Sequence, residues 1–135
     1  MMNSYTFVVD IVNFPNNNYV MASYDVKSLF TNIPIDETCK IVLDKLFPKI
    51  DDLYLGYNRT DFAKMLENFT KSNIFLFNGQ TYLQTDGCPI GGCISPALGC
   101  IFLCHHETMW LDNCVSEFKP VLYKRYVDDT FSLIR

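Results

Sequence analysis

Three aspartates are placed where they could hold divalent cations. Asp128 and Asp129 are adjacent between two short strand-like segments, and Asp25 ends an earlier apolar segment. Adjacent carboxylates at a hairpin tip repel each other, and a divalent cation would relieve that repulsion. Oxygen ligands favour Mg²⁺ or Mn²⁺ over zinc, and two such ions held about 3.5–4 Å apart support in-line phosphoryl transfer. For the Asp128-Asp129 pair alone, an ordinary acidic turn is the simpler interpretation.

The segments that must position these aspartates alternate between strand and helix patterns. Residues 19–24, after a polar turn at 16–18, have the composition of a buried strand, and residues 121–126 and 130–134 read as strands joined by 127–129. If the first strand neighbours this hairpin, all three carboxylates meet at one edge of a sheet.

Helix and turn signals fill the chain between these strands. The sequence predicts a helix after Pro34 that Pro48 closes, and then a helix with Thr60 as its N-cap. A hairpin turning at Asn78-Gly79 follows, and then a helix with Ser95 as its N-cap that runs to about residue 111. We therefore expect an α+β fold, with an antiparallel sheet and helices packed on one face.

Length and composition limit the class of protein. The chain has 135 residues, which allows one domain and hardly more. Its 49% hydrophobic content excludes wholesale disorder, and no run of about 18 uncharged apolar residues predicts a membrane span. The first residues lack the pattern of a secretory signal, so we expect an intracellular, reducing location. With 11 Lys+Arg against 15 Asp+Glu, the net charge of −4 argues against a general basic nucleic-acid binder.

Six cysteines fit a reducing compartment better than a disulfide framework. Cysteine thiols commonly behave as small buried hydrophobes, and we expect that role here. Cys100 and Cys104, with His105 and His106 beside them, have the residue types of a zinc site. A second well-spaced ligand pair is missing from the sequence, so core thiols are the preferred interpretation.

Three motifs together resemble one protein family. Tyr126-Val127-Asp128-Asp129 resembles the Y-x-D-D motif of reverse transcriptases. The segment Asp25–Pro34, DVKSLFTNIP, is similar to the first catalytic motif of the reverse transcriptases of Penelope-like retroelements, which are related to telomerase. Gln84 and then Gly87–Pro96, GCPIGGCISP, resemble that family's middle motif. The motifs occur in the family's order and span nearly the whole chain. Four positions depart mildly from the middle motif's usual Met, Ser, Pro and Leu: Ile90, Gly92, Cys93 and Ile94.

The resemblance implies a ferredoxin-like polymerase palm, in which residues 1–135 form a partial reverse transcriptase domain without the N-terminal part of the fingers and without the thumb. It assigns catalytic and metal-binding roles to Asp25, Asp128 and Asp129, and a metal-facing backbone carbonyl to Val26. It also implies two Mg²⁺ ions, or Mn²⁺ in their place, and an RNA template, a DNA primer and dNTP as partners.

The same resemblance implies nucleotide or template contacts outside the acidic cluster. Phe30 matches the steric gate that excludes a ribose 2′-OH. Further nucleotide- or template-binding roles fall on five residues: Gln84, Gly87, Pro89, Gly91 and Tyr126.

Plainer interpretations of single residues stay open. Phe30 is also a candidate core aromatic, Gln84 a solvated strand residue, and Gly91-Gly92 a flexible turn. Lys124 and Arg125 are candidates for primer phosphate contacts, although two cations on an exposed strand are more often simply solvated.

Three functions are compatible with these motifs. The first is the palm of an RNA-directed DNA polymerase. The second is an inactive, truncated retroelement remnant with at most nucleic-acid or protein binding, because the family's fingers, later palm motifs, thumb and endonuclease domain are not in this sequence. The third is a telomerase-like polymerase with another RNA template. The wording of the first motif favours the Penelope-like group, for which the nucleus is a candidate location. The acidic balance fits a palm whose basic surfaces belong to segments outside it.

Overall fold

The chain is a mixed α+β protein, as the sequence predicts, but its strands form two small antiparallel sheets where a single sheet was expected. The computed structural model describes residues 4–15 and 18–135, so most of the turn expected at 16–18 lies outside the described residues. Two compact units are present: a terminal unit of Met1–Lys27 and Glu107–Arg135, and a central unit of Ser28–His106. The elements in chain order are α1 (Ser4–Val12), β1 (Val20–Asp25), α2 (Leu29–Asn32), α3 (Ile35–Leu46), α4 (Arg59–Lys71), β2 (Ile74–Phe77), β3 (Gln80–Leu83), α5 (Ser95–Asn113), β4 (Leu122–Tyr126) and β5 (Asp129–Ile134).

The terminal unit contains a three-stranded antiparallel sheet with the order β1-β5-β4. The central strand β5 carries its buried residues, Thr130, Ser132 and Leu133. β1 pairs with β5 alone, and five of its six residues are exposed. The predicted strand at 19–24 is therefore confirmed within one residue, but the prediction that it is buried is wrong, because α1 packs on β5 and β4, at Phe131 and Lys124, and most side chains of β1 stay exposed.

Helix α1 belongs to the same unit and was not predicted from the sequence. Its three valines and one isoleucine favour strand over helix when taken alone. Two long-range contacts tie it to the sheet: the ring of Phe7 packs edge-on against Phe131 at 5.2 Å, and Lys124 Nζ lies 2.6 Å from Asp10 Oδ2. Tertiary contact therefore overrides local propensity here.

The central unit packs around the faces of α3 and α4. Phe62 of α4 meets Phe47 and Tyr54 at ring-centroid distances of 5.6 and 5.8 Å. Helix α3 follows Pro34 and stops before Pro48, as predicted, and Asp36 and Glu37 occupy its first turn. The buried apolar residues of this unit are Leu29, Ile33, Ile41, Val42, Phe47, Cys88 and Leu98.

Two predicted helix caps are wrong. Helix α4 begins one residue before Thr60, and Asn58 is its N-cap: the Asn58 side chain accepts a hydrogen bond from the Asp61 backbone N–H and donates one to the Asp61 carboxylate, each 2.9 Å long. Ser95 is the first residue of α5 rather than its N-cap, and its hydroxyl donates to the carbonyl oxygen of Pro89 at 2.8 Å. Helix α5 also extends to Asn113, two residues beyond the predicted end.

The hairpin at 74–83 is confirmed, but it forms a separate two-stranded sheet. Asn78 and Gly79 have φ values of 48° and 75°, which is the pair of positive angles that a type I′ turn requires. Within the described residues, no helix is both long enough and apolar enough to cross a bilayer.

All six cysteines are thiols. Cys88 is fully buried, which confirms the core interpretation for that residue. The same interpretation is wrong for Cys93, Cys100 and Cys104, which are exposed. The last two lie on the face of α5 that the central unit leaves in solvent, so their hydrophobic character contributes little to packing.

Candidate functional site

Strand pairing brings Asp25 and Asp129 directly opposite each other. They are Cα partners in the antiparallel ladder between β1 and β5. The next pair along is hydrogen-bonded, because the Val26 N–H donates to the Asp128 carbonyl at 3.0 Å. Pairs alternate in an antiparallel ladder, so Asp25 and Asp129 form a non-hydrogen-bonded pair, with Cα atoms about 4.5 Å apart and side chains on one face. Strand β1 is therefore a neighbour of the hairpin formed by β4 and β5, which is the condition for the aspartates to meet at one edge of a sheet.

Asp128 lies beside this pair in the turn between β4 and β5. The turn has one unusual backbone position, Val127, with a φ of 56°. A β-branched residue in the left-handed region costs about 1–2 kcal/mol, so the surrounding structure must hold it there. The Asp128 carbonyl accepts from Val26, and the Val127 carbonyl accepts from Arg125 Nη1 at 2.8 Å. The turn that carries Asp128 is thus held from both sides.

A polar network behind the turn connects it to α5. Glu107 Oε1 accepts hydrogen bonds from Arg125 Nε at 2.7 Å and from the Tyr123 hydroxyl at 2.6 Å. Only 8% of the Arg125 side chain and 19% of the Glu107 side chain are exposed, so water screens this pair weakly. Lys124, one residue earlier, is paired with Asp10. The interpretation of Lys124 and Arg125 as simply solvated cations is therefore wrong, since each is paired with a carboxylate of the chain.

The acidic cluster has the donor chemistry that Mg²⁺ prefers. Asp25 and Asp129 are exposed, and Asp128 is half-buried. Among residues 4–15 and 18–135, no three Asp, Glu, His or Cys side chains already form a group placed to hold a metal ion. The register alone brings Asp25 and Asp129 together on one face of the sheet, with Asp128 in the adjoining turn. Two like charges directly opposite on a sheet are also mutually destabilising, which a cation between them would reverse.

The Gly-rich loop of the middle motif docks on the end of the first motif within the central unit. The Cys88 N–H donates to the Phe30 carbonyl at 2.7 Å, next to Gly87 with its φ of 71°. A Cβ atom built on Gly87 would lie 2.5 Å from the carbonyl oxygen of Thr31. Gly87 is therefore needed for contact between two parts of this chain.

The thiol of the adjacent residue, Cys88, has a raised pKa. Burial is the main cause and the nearby Cys39 raises the pKa further, while a hydrogen bond with Ser95 lowers it.

The remaining residues of the middle motif differ in exposure. Gly91 is exposed, with a φ of 87° and open space around its Cα. The Pro89 carbonyl accepts the Ser95 hydroxyl, which fixes the base of the loop. Gln84 is half-buried, and its side-chain amide donates to the Asp86 carbonyl at 2.8 Å, so it is neither simply solvated nor part of a strand.

In the first motif, Phe30 is half-buried, and its ring lies beside Gly99 of α5.

The predicted site residues therefore divide between the two units. The terminal unit holds the acidic cluster and its flanks: Asp25, Val26, Tyr126, Asp128 and Asp129. The central unit holds the predicted nucleotide and template contacts: Phe30, Gln84, Gly87, Pro89 and Gly91. Sequence reasoning missed Glu107 and gave Arg125 a different role, because their pairing joins positions 18 residues apart and has no local signal.

Replacing Gly87 is expected to destabilise the fold strongly. In Gly87→Ala, the new methyl group collides with backbone atoms of Thr31 and the residue must keep a positive φ. We expect the free energy of unfolding, measured by urea denaturation, to fall by about 3 kcal/mol. Gly56→Ala is the matched control, because Gly56 has a φ of 83° and nothing within 4 Å of its added Cβ. That variant should lose about 1 kcal/mol, and equal losses in both would contradict the close contact.

Comparison with known proteins does not assign the chain to a family. No model of a known protein family matches it, and no curated protein sequence matches it either. The functional interpretation therefore depends on the motifs of this sequence and on the geometry of their residues.

Proposed function

We propose that this chain is the palm of an RNA-directed DNA polymerase, which adds a deoxynucleotide from dNTP to the 3′-OH of a DNA primer on an RNA template. The observation that carries the proposal is the antiparallel register that sets Asp25 opposite Asp129, with Asp128 in the adjoining turn. The motif resemblance proposes the same three residues independently of that register. A ferredoxin-like palm is the architecture that this proposal implies.

Each residue of the acidic cluster has a task in this proposal. Asp25 and Asp128 would be the main cation ligands, Asp129 would complete the cluster, and the Val26 carbonyl would face the cation that accompanies the triphosphate. Two divalent cations, Mg²⁺ or Mn²⁺, supply when bound the charge that lowers the pKa of the primer 3′-OH and stabilises the departing pyrophosphate. Two hydrogen bonds hold the backbone of the turn that carries Asp128. The Val26 N–H donates to the Asp128 carbonyl, and Arg125 Nη1 donates to the Val127 carbonyl.

The central unit supplies substrate contacts in the same proposal. Phe30 stacks beneath the sugar and excludes a 2′-OH, and the exposed, open backbone at Gly91 allows template or nucleotide to approach closely. Gln84, Gly87, Pro89 and Tyr126 are proposed as further contacts or supports. With a net charge of −4, the chain itself offers few basic contacts for the primer and template backbones.

Divalent-cation binding by the chain itself tests the proposal. Mg²⁺ added at about 100 times its dissociation constant should raise the free energy of unfolding by about 2.7 kcal/mol, because it binds the folded cluster only. With EDTA instead, Asp129→Asn should be slightly more stable than the parent chain, by about 0.5 kcal/mol, since it removes the cross-strand repulsion. The same variant should lose most of the stabilisation by Mg²⁺.

Asp112→Asn is the matched control for charge, because Asp112 is an exposed aspartate of α5 in the same unit. It should respond to Mg²⁺ as the parent chain does. If Asp129→Asn and Asp112→Asn gave the same response, the carboxylates would not bind cation together, and the proposed function would lose its basis. Mg²⁺ binding without any primer extension, even with fingers and thumb segments supplied, would favour the inactive remnant.

A further inference from the structure

Two exposed thiols lie side by side on α5, in the part of that helix that belongs to the central unit. Cys100 Sγ and Cys104 Sγ are 3.9 Å apart, one helical turn from each other. We propose that they form a two-thiolate site for a soft, thiophilic divalent cation of the zinc class. This site differs from the aspartate cluster in its donor atoms, and it does not depend on the proposed polymerase function.

The separation of the sulfurs argues against a disulfide between them. A disulfide bond is about 2.05 Å long, and its two Cβ atoms are about 3.5–4.5 Å apart. The Cβ atoms of residues four apart in a helix are about 5–6 Å apart. Joining Cys100 to Cys104 would therefore require this turn of α5 to distort, because the sulfurs would have to approach by nearly half of the observed 3.9 Å.

The same separation suits a bridging cation. Zinc binds thiolate sulfur at about 2.3 Å in tetrahedral geometry, which places two sulfur ligands about 3.8 Å apart. The observed 3.9 Å matches that value without movement of the helix. Soft thiolate ligands select zinc and similar cations over Mg²⁺, which takes oxygen ligands. The two cation sites of this chain should therefore not compete.

The neighbouring histidines do not complete the site. His106 Nε2 lies 3.0 Å from Glu37 Oε1 of α3. The centroid of the His106 ring lies 4.5 Å from that of Phe102. The His106 side chain is therefore engaged with Glu37 and Phe102. No group of three metal-ligand side chains occurs in the described ranges 4–15 and 18–135. The proposed site thus has two protein ligands and leaves positions for water or a further thiol ligand. Binding takes one cation and two thiols and releases two protons, which go to the solvent.

Titration of the fully reduced chain with Cd²⁺ alone, followed by the thiolate-to-metal charge-transfer absorption, tests this proposal. We expect one cation per chain, and we expect Zn²⁺ but not excess Mg²⁺ to displace it. Cys100→Ser and Cys104→Ser should each weaken binding by about tenfold or more, because each removes one arm of a chelate. Cys93→Ser is the control, since Cys93 is an exposed thiol of the same unit, and it should bind as the parent does.

Equal affinity in Cys93→Ser and Cys100→Ser would overturn the proposal, and so would a parent chain that binds no Cd²⁺ when reduced. Unchanged far-ultraviolet circular dichroism in each variant would show that the fold is retained, which is expected because both thiols are exposed. The aspartate variants used to test the proposed function should leave Cd²⁺ affinity unchanged. A failure of one site is therefore distinguishable from a failure of the other.

Discussion

Asp128→Asn is expected to reduce primer extension by about 10³-fold in a polymerase that contains this chain together with fingers and thumb segments. Asparagine keeps the size of the side chain but replaces a charged ligand by a neutral one. The cations of such a site supply several kcal/mol of transition-state charge stabilisation, and each 1.36 kcal/mol is tenfold in rate. Asp25→Asn should have an effect of the same order, since both residues are proposed as principal ligands.

Single-turnover primer extension at saturating dNTP is the appropriate measurement, because it separates the chemical step from substrate binding. Asp112→Asn serves again as the control and should extend primers at the parent rate. Full activity in Asp128→Asn would disprove the proposed role of the cluster. A parent protein without activity, given Mg²⁺ and a complete set of segments, would instead identify the chain as a remnant.

Arg125→Ala is expected to lower the free energy of unfolding by about 3–5 kcal/mol, which is a large part of the stability of a domain of this size. The substitution leaves Glu107, only 19% exposed, without its cation and frees the Val127 carbonyl in a strained turn. Urea denaturation followed by circular dichroism would measure the loss. The stability of Arg125→Lys should lie between those of the parent chain and Arg125→Ala. A lysine keeps the positive charge, but it cannot donate to Glu107 and to the Val127 carbonyl at once as the guanidinium group does.

Lys124→Ala is the natural comparison, because it removes the neighbouring cation of the same strand. The side chains of Lys124 and Asp10 are 29% and 37% exposed, so water screens their ion pair more strongly. We expect a loss of no more than about 1 kcal/mol there. Similar losses in Lys124→Ala and Arg125→Ala would show that burial of the pair with Glu107 does not set its energy.

Local patterns were sufficient for most elements of this fold. The helix signals after Pro34, the Asn78-Gly79 pair and the strand-like segments at 121–126 and 130–134 each predicted an observed element. They succeeded because helix period, turn angles and strand alternation are properties of neighbouring residues. The N-cap of α4 was misplaced by two residues: Asn58 and Thr60 are both acceptable caps, and Asn58 is the one that exchanges hydrogen bonds with Asp61, three residues later.

The candidate site, like the fold, could be predicted from the sequence only in part. Residue types made Asp25, Asp128 and Asp129 candidates, and the resemblance of the motifs around them selected them over an ordinary acidic turn. Which of them face each other was not predictable, because strand order and register depend on pairing between segments about 100 residues apart. Register sets Asp25 opposite Asp129 and leaves Asp128 in the turn.

The sequence by itself determined the inventory of this protein: an α+β chain, three aspartates at strand ends and turns, and a Gly-rich loop. Tertiary structure decided what those residues contact. It paired Lys124 with Asp10 and Arg125 with Glu107, where the sequence suggested solvated cations, and it brought Gly87 against the backbone of Thr31. The physical reason is that charge pairing and close backbone approach depend on distances in space, and separation along the chain does not report those distances.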